Sequence, residues 1–182
     1  VEPINPMGFS KRLCEFIAVN AINNGDSVTI VRFGNVINSS GSVIPLFRSQ
    51  IESGGPILLT DKNATRYFMS ISEAVDLVLQ ASKLSPNTYV LDMGDPIKII
   101  DVAHKVAAEY GKEIVDNPRA ENEIAMKIIG LREGEKLEEK LTYRKISESE
   151  KKGIYTAEEF NDFNTDLILS ITSAIQNNKP IN

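Results

Sequence analysis

The chain has 182 residues, 42% of them hydrophobic, and a formal net charge of -5. This length suits one domain with a hydrophobic core, whereas the acidic balance argues against a general nucleic-acid binder, because phosphate-backbone affinity needs clustered cations. The single cysteine, Cys14, excludes an intrachain disulfide and fits a reducing compartment, and the single histidine, His104, leaves no His/Cys metal cage.

The ends and the hydropathy of the chain indicate its cellular setting. No apolar run approaches the roughly 20 residues that a membrane-spanning helix needs, and no signal-peptide pattern is present. The sequence starts at Val1 rather than at a methionine, and helix-forming sequence follows almost at once. We therefore expect a cytoplasmic segment cut from a larger domain, with any membrane anchor in a preceding part.

Helix and strand patterns alternate through the first half of the chain. A helix is predicted over 7–23, with one buried face formed by Leu13, Phe16, Ile17 and Ala21 and with Cys14 in its apolar half. The other predicted elements are a strand that begins at Val28 and ends at Phe33-Gly34, a helix over 43–52 that is followed by Gly54-Gly55, a strand over 57–59, and a helix opened by the capping box Ser70-Ile71-Ser72-Glu73.

The second half continues this alternation, which predicts an α/β fold rather than a bundle or a sandwich. Val102, Val106 and Tyr110 face inwards on a predicted helix over 99–111, and His104 lies on its outer face. The remaining predictions are strands over 88–91, 114–115 and 126–129, a strand-to-helix turn over 131–141, a charged surface link over 145–152, and a last helix opened by the capping box Thr156-Ala157-Glu158-Glu159.

Residues 27–47 combine a strand, a loop rich in Asn, Ser and Gly, and the start of a helix. This arrangement presents backbone N–H groups and the positive end of a helix dipole to an anion. An ordinary connection between a strand and a helix produces the same local pattern, so both interpretations stay open.

Three cations lie close to glycine or aromatic residues: Lys11, Arg66 and Arg132. An arginine suits phosphate because its fork donates two parallel hydrogen bonds, so two arginines would hold a diphosphate. Surface ion pairs with the neighbouring acidic residues are the alternative for each arginine taken alone.

Six stretches of the chain are distinctive in combination. They are Asn5-Pro6-Met7-Gly8-Phe9-Ser10-Lys11-Arg12, Val31-Arg32-Phe33-Gly34-Asn35-Val36, Gly41-Ser42-Val43-Ile44-Pro45-Leu46-Phe47, Thr65-Arg66-Tyr67-Phe68-Met69, Leu91-Asp92-Met93-Gly94 and Gly130-Leu131-Arg132-Glu133-Gly134-Glu135-Lys136-Leu137. In this order they resemble the polysaccharide-biosynthesis branch of the extended short-chain dehydrogenase/reductase family, and within it the UDP-N-acetylglucosamine 4,6-dehydratases.

The resemblance implies the C-terminal part of such an enzyme. Residues 1–141 would supply the last strands and the catalytic helix of a Rossmann-type sheet together with the smaller sugar-nucleotide-binding region, and residues 142–182 a charged link and a C-terminal helix. The glycine-rich turn that holds the pyrophosphate of NAD(P) has no counterpart here, nor has the upstream Thr-Asp-Lys stretch of acid and base. NAD or NADP is therefore expected to be bound mainly by an N-terminal half outside this chain.

The resemblance also implies roles for individual residues. Lys11 resembles the lysine of the family's Tyr-x-x-x-Lys motif, which hydrogen-bonds the nicotinamide ribose and lowers a neighbouring pKa. Met7 stands where most relatives have the tyrosine acid/base, and some dehydratases of this branch carry Met there, although a thioether transfers no proton. Phe33 and Asn35 resemble residues that border the nicotinamide and the substrate phosphates. The implied substrate-binding set is Ser42, Val43, Pro45, Leu59 and Thr60 around the uracil, Arg66 and Arg132 on the diphosphate, and Glu135 on a ribose hydroxyl.

The implied activity is 4,6-dehydration of a UDP-N-acetylhexosamine, foremost UDP-N-acetylglucosamine, to the UDP-4-keto-6-deoxy sugar for surface polysaccharide synthesis. Hydride leaves C4 of the sugar for NAD(P), water is lost across C5–C6, and the hydride returns to C6. The intact enzyme is expected to be a homo-oligomer, and this chain alone to be inactive.

Three alternatives stay open. A related UDP-sugar epimerase or reductase is the nearest, although those enzymes would favour Tyr at position 7. The others are a UDP-sugar-binding module without catalysis and a structural remnant that pairs with a separate cofactor-binding subunit.

Overall fold

A computed structural model describes residues 3–39, 41–142 and 146–157. The helices are α1 (Pro6–Asn23), α2 (Val43–Glu52), α3 (Ile71–Ala81) and α4 (Ile99–Glu109). The strands are β1 (Ile30–Arg32), β2 (Asn35–Val36), β3 (Ile57–Leu59), β4 (Thr65–Arg66), β5 (Phe68–Met69), β6 (Thr88–Leu91), β7 (Ile97–Lys98), β8 (Glu113–Val115), β9 (Glu123–Ile128), β10 (Ile146–Glu148) and β11 (Ile154–Ala157).

Capping side chains explain where two of the helices begin. The Asn5 side chain accepts a hydrogen bond from the Gly8 N–H at 2.7 Å, which caps α1 just ahead of its early proline. The predicted capping box of α3 is confirmed, because the Ser70 N–H donates to Glu73 at 2.8 Å and the Glu73 N–H donates to the Ser70 hydroxyl at 3.2 Å. Since each cap satisfies backbone donors that the helix itself leaves unpaired, these starts are fixed locally.

The chain forms two compact units, and the first contains α1, β1, β6, β10 and β11. Its sheet has the strand order β1-β6-β11-β10, in which β1 runs parallel to β6 and the other pairs are antiparallel. The central strand β6 is buried at every position, as its run of β-branched, aromatic and aliphatic residues predicts. Helix α1 contacts β1 on this sheet.

The second unit comprises residues 33–77 and 92–141. Its largest sheet is the parallel set β3-β9-β8, and α2 and α4 contact both β3 and each other. Parallel strands require crossover connections, so helices on the sheet are expected. The core between these elements consists of Phe47, Ile51, Ile57, Leu59, Ala64, Ile99, Val102, Ala103, Val106, Ala107 and Ile124.

Two short ladders complete the second unit and position residues of interest. β2 pairs in parallel with β5, which sets Asn35 opposite Phe68, and β4 pairs with β7 in antiparallel fashion, which sets Arg66 opposite Ile97. Neither ladder was predicted, because strands of two residues leave too short a pattern to recognise.

Gly34 directly precedes β2 and lies against Tyr67, which directly precedes β5. A Cβ atom at this position would lie 2.7 Å from the Tyr67 Cβ and 3.0 Å from the Tyr67 carbonyl oxygen, so backbone would have to move. We expect Gly34→Ala to destabilise the fold by about 1–3 kcal/mol, as overpacking does elsewhere. Urea unfolding of the chain tests this, and an unchanged midpoint would show that the ladder tolerates a methyl group.

Several predicted elements are confirmed. The strands expected at 57–59 and 88–91 coincide with β3 and β6, and the helices expected at 43–52 and 99–111 coincide with α2 and α4 within two residues. His104 is exposed on α4, as expected.

The predicted helix within 131–141 is wrong. This segment contains turns and no helix in the structure. Gly134 has a φ of 75°, a backbone conformation outside the right-handed helix. The Arg66 side chain donates to two of its carbonyl groups, those of Lys136 at 2.7 Å and Leu137 at 3.1 Å.

The predictions for 145–152 and for the second capping box are also wrong within the described residues. Ile146–Glu148 form the edge strand β10 rather than a surface link, and its charged, exposed pattern is typical of an edge. Thr156 lies in β11 opposite Tyr89, so it does not cap a helix. The last predicted helix lies outside the described residues.

Three side chains are more exposed than expected. Ile17 is 56% exposed and Cys14 is exposed, and Val19 is the only buried residue of α1. Tyr110 is 38% exposed rather than inward, because its hydroxyl donates to Glu52 at 2.6 Å.

Candidate functional site

Helix α1 presents Met7 and Lys11 on one exposed face. They are four residues apart, so they lie on consecutive turns, and Met7 is 69% exposed. Among the described residues, none hydrogen-bonds to the Lys11 ammonium. Both side chains are therefore open to a ligand in this unit.

Glu15, one further turn along this face, ties α1 to β1. Its carboxylate accepts two hydrogen bonds from Arg32, from Nε at 2.6 Å and from Nη2 at 2.9 Å, and one from Arg12 at 2.8 Å. Burial by itself raises the pKa of Glu15, but the hydrogen bonds and charges of Arg32 and then Arg12 outweigh it and lower the pKa from its ordinary value of 4.5. Glu15 is thus held ionised against the nearly buried Arg32.

Sequence reasoning missed this pair, although two signals were present. Glu15 follows Lys11 at helical spacing, and Arg32 occupies a strand position that the pattern marks as buried. A buried arginine needs an acidic partner, which a search along the preceding helix would have found.

Phe33 and Asn35 follow β1 and belong to the second unit. Phe33 is 37% exposed, and the Asn35 side chain is at the surface while its N–H donates to the Tyr67 carbonyl at 2.9 Å. The Gly34 N–H between them lies 3.4 Å from the Met93 sulfur, within hydrogen-bonding range. The backbone is therefore fixed while both side chains stay accessible.

The start of α2 holds Ser42, Val43 and Pro45, all half-buried. The Ser42 hydroxyl is buried and has no hydrogen-bond partner among the described residues. Val43 packs against the core, and Leu59, at 1% exposure, lies within it.

Thr60, Arg66 and Glu135 come together in the second unit, and we call them the Arg66–Glu135 cluster. The Thr60 hydroxyl donates to Glu135 Oε1 at 2.8 Å, and Arg66 Nη2 lies 3.7 Å from the same oxygen. The three were predicted as ligands of one nucleotide, and the structure places them side by side.

Arg132 precedes this cluster on an exposed turn. Its backbone N–H donates to Glu135 Oε2 at 3.1 Å, whereas its side chain is exposed and makes no hydrogen bond or ion pair with a described residue. Of the two predicted diphosphate arginines, Arg132 thus extends into solvent and Arg66 is largely enclosed.

The described residues contain neither a metal-binding cluster nor a membrane-spanning helix. They contain no group of three or more His, Cys, Asp or Glu residues placed to hold a metal ion. None of their helices is long and apolar enough to cross a membrane.

A family profile described as "Polysaccharide biosynthesis protein" matches residues 1–159. The chain belongs to this family. It is 48% identical over 145 residues to the capsular polysaccharide biosynthesis protein CapD of Staphylococcus aureus, a match that covers 78% of this chain and 23% of CapD. The chain therefore spans about a quarter of the length of that relative.

Solved structures confirm the predicted fold class. The structure of Pen from Bacillus thuringiensis matches with a TM-score of 0.63 and 33% identity, over 75% of this chain and 42% of Pen. DesIV of Streptomyces venezuelae, a dTDP-glucose 4,6-dehydratase with NAD bound, matches with a TM-score of 0.61 and 20% identity, over 78% of this chain and 43% of DesIV. The fold is that of the extended short-chain dehydrogenases, and the chain corresponds to less than half of them.

The chemistry of Lys11, in the first unit, is compatible with a nicotinamide nucleotide, because its ammonium has donors available for a ribose hydroxyl. In the second unit, the exposed Phe33 ring offers an apolar surface. Solved structures of this fold include NAD-bound enzymes. The sequence lacks a G-x-x-G-x-x-G turn, so the pyrophosphate would be held elsewhere.

Proposed function

We propose that this chain is the catalytic-helix and substrate-binding part of a UDP-N-acetylhexosamine 4,6-dehydratase, with UDP-N-acetylglucosamine as the substrate. We call the protein in which this chain is joined to an NAD(P)-binding half the complete enzyme. The observation that carries the proposal is the exposed face of α1, where Lys11 is retained and Met7 replaces the usual tyrosine. The enzyme is proposed to act in the cytoplasm as a homo-oligomer, as expected from the sequence.

Lys11 has the most direct part in the proposed chemistry. NAD(P), when bound, would supply the hydride acceptor for sugar C4 and the hydride donor for C6. The Lys11 ammonium would donate hydrogen bonds to the nucleotide ribose, and its positive charge would favour loss of the proton of the C4 hydroxyl, which accompanies loss of the hydride from C4. Met7 neither takes nor gives a proton, so its thioether shapes the site and the proton passes through other groups.

Residues of the second unit are proposed to bind the nucleotide. Arg132 supplies charge-assisted hydrogen bonds to the diphosphate, because its exposed guanidinium has no competing partner among the described residues. Ser42, Val43, Pro45 and Thr60 are proposed to border the uracil, and Asn35 the phosphates.

The product of the complete enzyme tests the proposal directly. Incubation with UDP-N-acetylglucosamine and NAD(P) should give a nucleotide sugar lighter by one water, with a ketone at C4. A product of unchanged mass with inverted C4 would identify an epimerase, and binding of the substrate without any product would identify a binding module. Either result would overturn the dehydratase assignment.

Arg132→Ala should weaken UDP-sugar binding. The loss of a charge-assisted hydrogen bond predicts about 1.5–3 kcal/mol, or roughly 10–150-fold in Kd. Calorimetric titration of the complete enzyme with UDP measures this. Arg119→Ala, which removes another exposed arginine of the same unit, is the matched control and should leave Kd unchanged. Equal affinities for both variants would rule out Arg132 as a diphosphate ligand.

A further inference from the structure

The apolar packing of α1 is concentrated away from Lys11. Val19 is the only fully buried residue of this helix, and it follows Lys11 by eight residues, or about 12 Å along the helix axis. Leu13 and Phe16 are half-buried, and Met7 and Lys11 are exposed. Apolar contacts alone therefore leave the tilt and rotation of the first half of α1 weakly determined.

Glu15, one turn after Lys11, attaches this half of the helix to the sheet through Arg32. Nε of Arg32 donates to Oε1 at 2.6 Å and Nη2 donates to Oε2 at 2.9 Å. Two parallel bonds from one planar guanidinium fix a direction as well as a distance. Arg32 is the last residue of β1, is opposite Val90 in β6, and has a side chain that is only 7% exposed, so the guanidinium is held on a firm support.

Arg12 holds the same carboxylate from the side of the helix. Its Nη1 donates to Glu15 Oε2 at 2.8 Å, and its guanidinium carbon lies 4.9 Å from the centroid of the Phe16 ring. Arg12 and Glu15 are three residues apart on α1, so this bond does not join the helix to the sheet. It restrains the Glu15 side chain in the conformation that meets Arg32.

A buried pair of this kind contributes geometry more distinctively than it contributes stability. Taking two charges out of water costs free energy that their attraction only partly returns, so well-packed apolar residues often stabilise a fold equally well. Apolar side chains do not reproduce the fixed orientation of two parallel hydrogen bonds. Since a displacement of about 1 Å lowers a reaction rate by about 10²-fold, the orientation of α1 matters for any chemistry at Lys11.

We infer that Glu15 and Arg32 are positioning residues, whose paired hydrogen bonds set the orientation of α1 on β1 and thereby the position of Lys11. This inference rests on the proposed function, because it takes Lys11 to act on the bound nucleotide. Glu15 and Arg32 bond to each other, and they act on the reaction through Lys11.

A double-mutant cycle on the complete enzyme tests whether the pair acts through Lys11. Arg32→Lys keeps the positive charge beside Glu15 but loses the planar fork. In the wild-type background it should lower kcat for UDP-N-acetylglucosamine about 10–100-fold and leave the Kd for UDP unchanged. In the Lys11→Ala background the same change should have almost no further effect on kcat, because the positioned group is already absent. A wild-type kcat in Arg32→Lys, or an equal loss in both backgrounds, would overturn the inference.

Matched variants separate positioning from a general loss of stability. Val19→Ala removes apolar packing from the same helix, so it should lower the urea midpoint and keep the wild-type kcat in the folded enzyme. Glu15→Gln keeps the length of the side chain and removes its charge, and it replaces Arg32→Lys if that variant does not fold; its kcat should fall as well. A loss of kcat in Val19→Ala as large as in the pair variants would make the pair merely structural and overturn the inference.

Hydrogen exchange without any ligand separates this inference from the proposed function. Arg32→Lys should speed exchange of the amides of residues 9–16, because the first half of α1 then leaves the sheet more often. The Ile129 amide, which donates to the Leu59 carbonyl in the other unit, should be unchanged. Unchanged exchange over residues 9–16 overturns the positioning role. A complete enzyme that forms no 4-keto product overturns the proposed function, and the exchange result still decides whether the pair holds α1.

Discussion

Lys11→Ala in the complete enzyme is expected to lower the rate of dehydration by about 10²–10⁴-fold, the range for loss of a group that assists proton transfer. Lys11 is exposed on α1, and its ammonium makes no hydrogen bond to a described residue, so the change removes no contact of the fold. The proposed diphosphate ligand Arg132 lies in the other unit. The affinity for UDP should therefore stay close to that of the wild type.

Steady-state turnover with UDP-N-acetylglucosamine and calorimetry with UDP measure the two quantities separately. Lys105→Ala removes an exposed lysine of α4 and serves as the control, with turnover expected to match the wild type. If Lys11→Ala turned over substrate at the wild-type rate, α1 would not be the catalytic helix. If it lost UDP affinity as well as turnover, Lys11 would be a ligand of the substrate rather than of the cofactor.

The elements that sequence predicted well are those with local signals. α3 begins directly after Ser70 because the capping box of Ser70 and Glu73 satisfies backbone N–H groups at the start of the helix. β6 is recognisable as a continuous run of strand-forming residues between turn signals. Such features need no information from distant parts of the chain. The alternation of these elements was enough to indicate the α/β class.

Elements that depend on distant partners could not be predicted in this way. The charged sequence of segment 131–141 suits a helix, but Arg66, about 70 residues earlier, donates to the Lys136 and Leu137 carbonyl groups, and the segment forms turns instead. β10 exists because β11 pairs with it at an edge, although its own residues are exposed and charged. In both cases tertiary hydrogen bonds override local preference.

The candidate site shows the same division. Lys11 and Met7 share a face because helical spacing requires it, so the sequence alone placed them together. The Arg66–Glu135 cluster was anticipated only through the resemblance to a family, because nothing local joins Thr60 to a residue 75 positions later. The sequence did not indicate that Arg66 is largely enclosed while Arg132 is exposed, and only the three-dimensional structure shows this difference.

Glu15→Ala is expected to destabilise the fold by about 3–5 kcal/mol at neutral pH, the range for removing one partner of a buried ion pair. The Arg32 side chain is only 7% exposed and donates twice to this carboxylate, so the change removes a counter-charge from a buried arginine. Urea unfolding at neutral pH measures the effect. Glu109→Ala breaks the exposed pair with Arg48 and is the matched control, with an expected loss of about 0–1 kcal/mol. Equal losses would show that the Glu15 pair behaves as an ordinary surface contact.

The pH dependence of this difference identifies its cause. The folded-state pKa of Glu15 lies below 4.5 because Arg32 and Arg12 favour the carboxylate more strongly than burial opposes it. A depressed pKa contributes stability that is fully present above pH 4.5 and is lost as the pH falls below 4.5 through the folded-state value. The wild type should therefore lose its advantage over Glu15→Ala progressively in acid, while the difference stays constant above that window. A difference that persisted undiminished in acid would mean that the packing of Glu15, rather than its charge, holds α1 on β1.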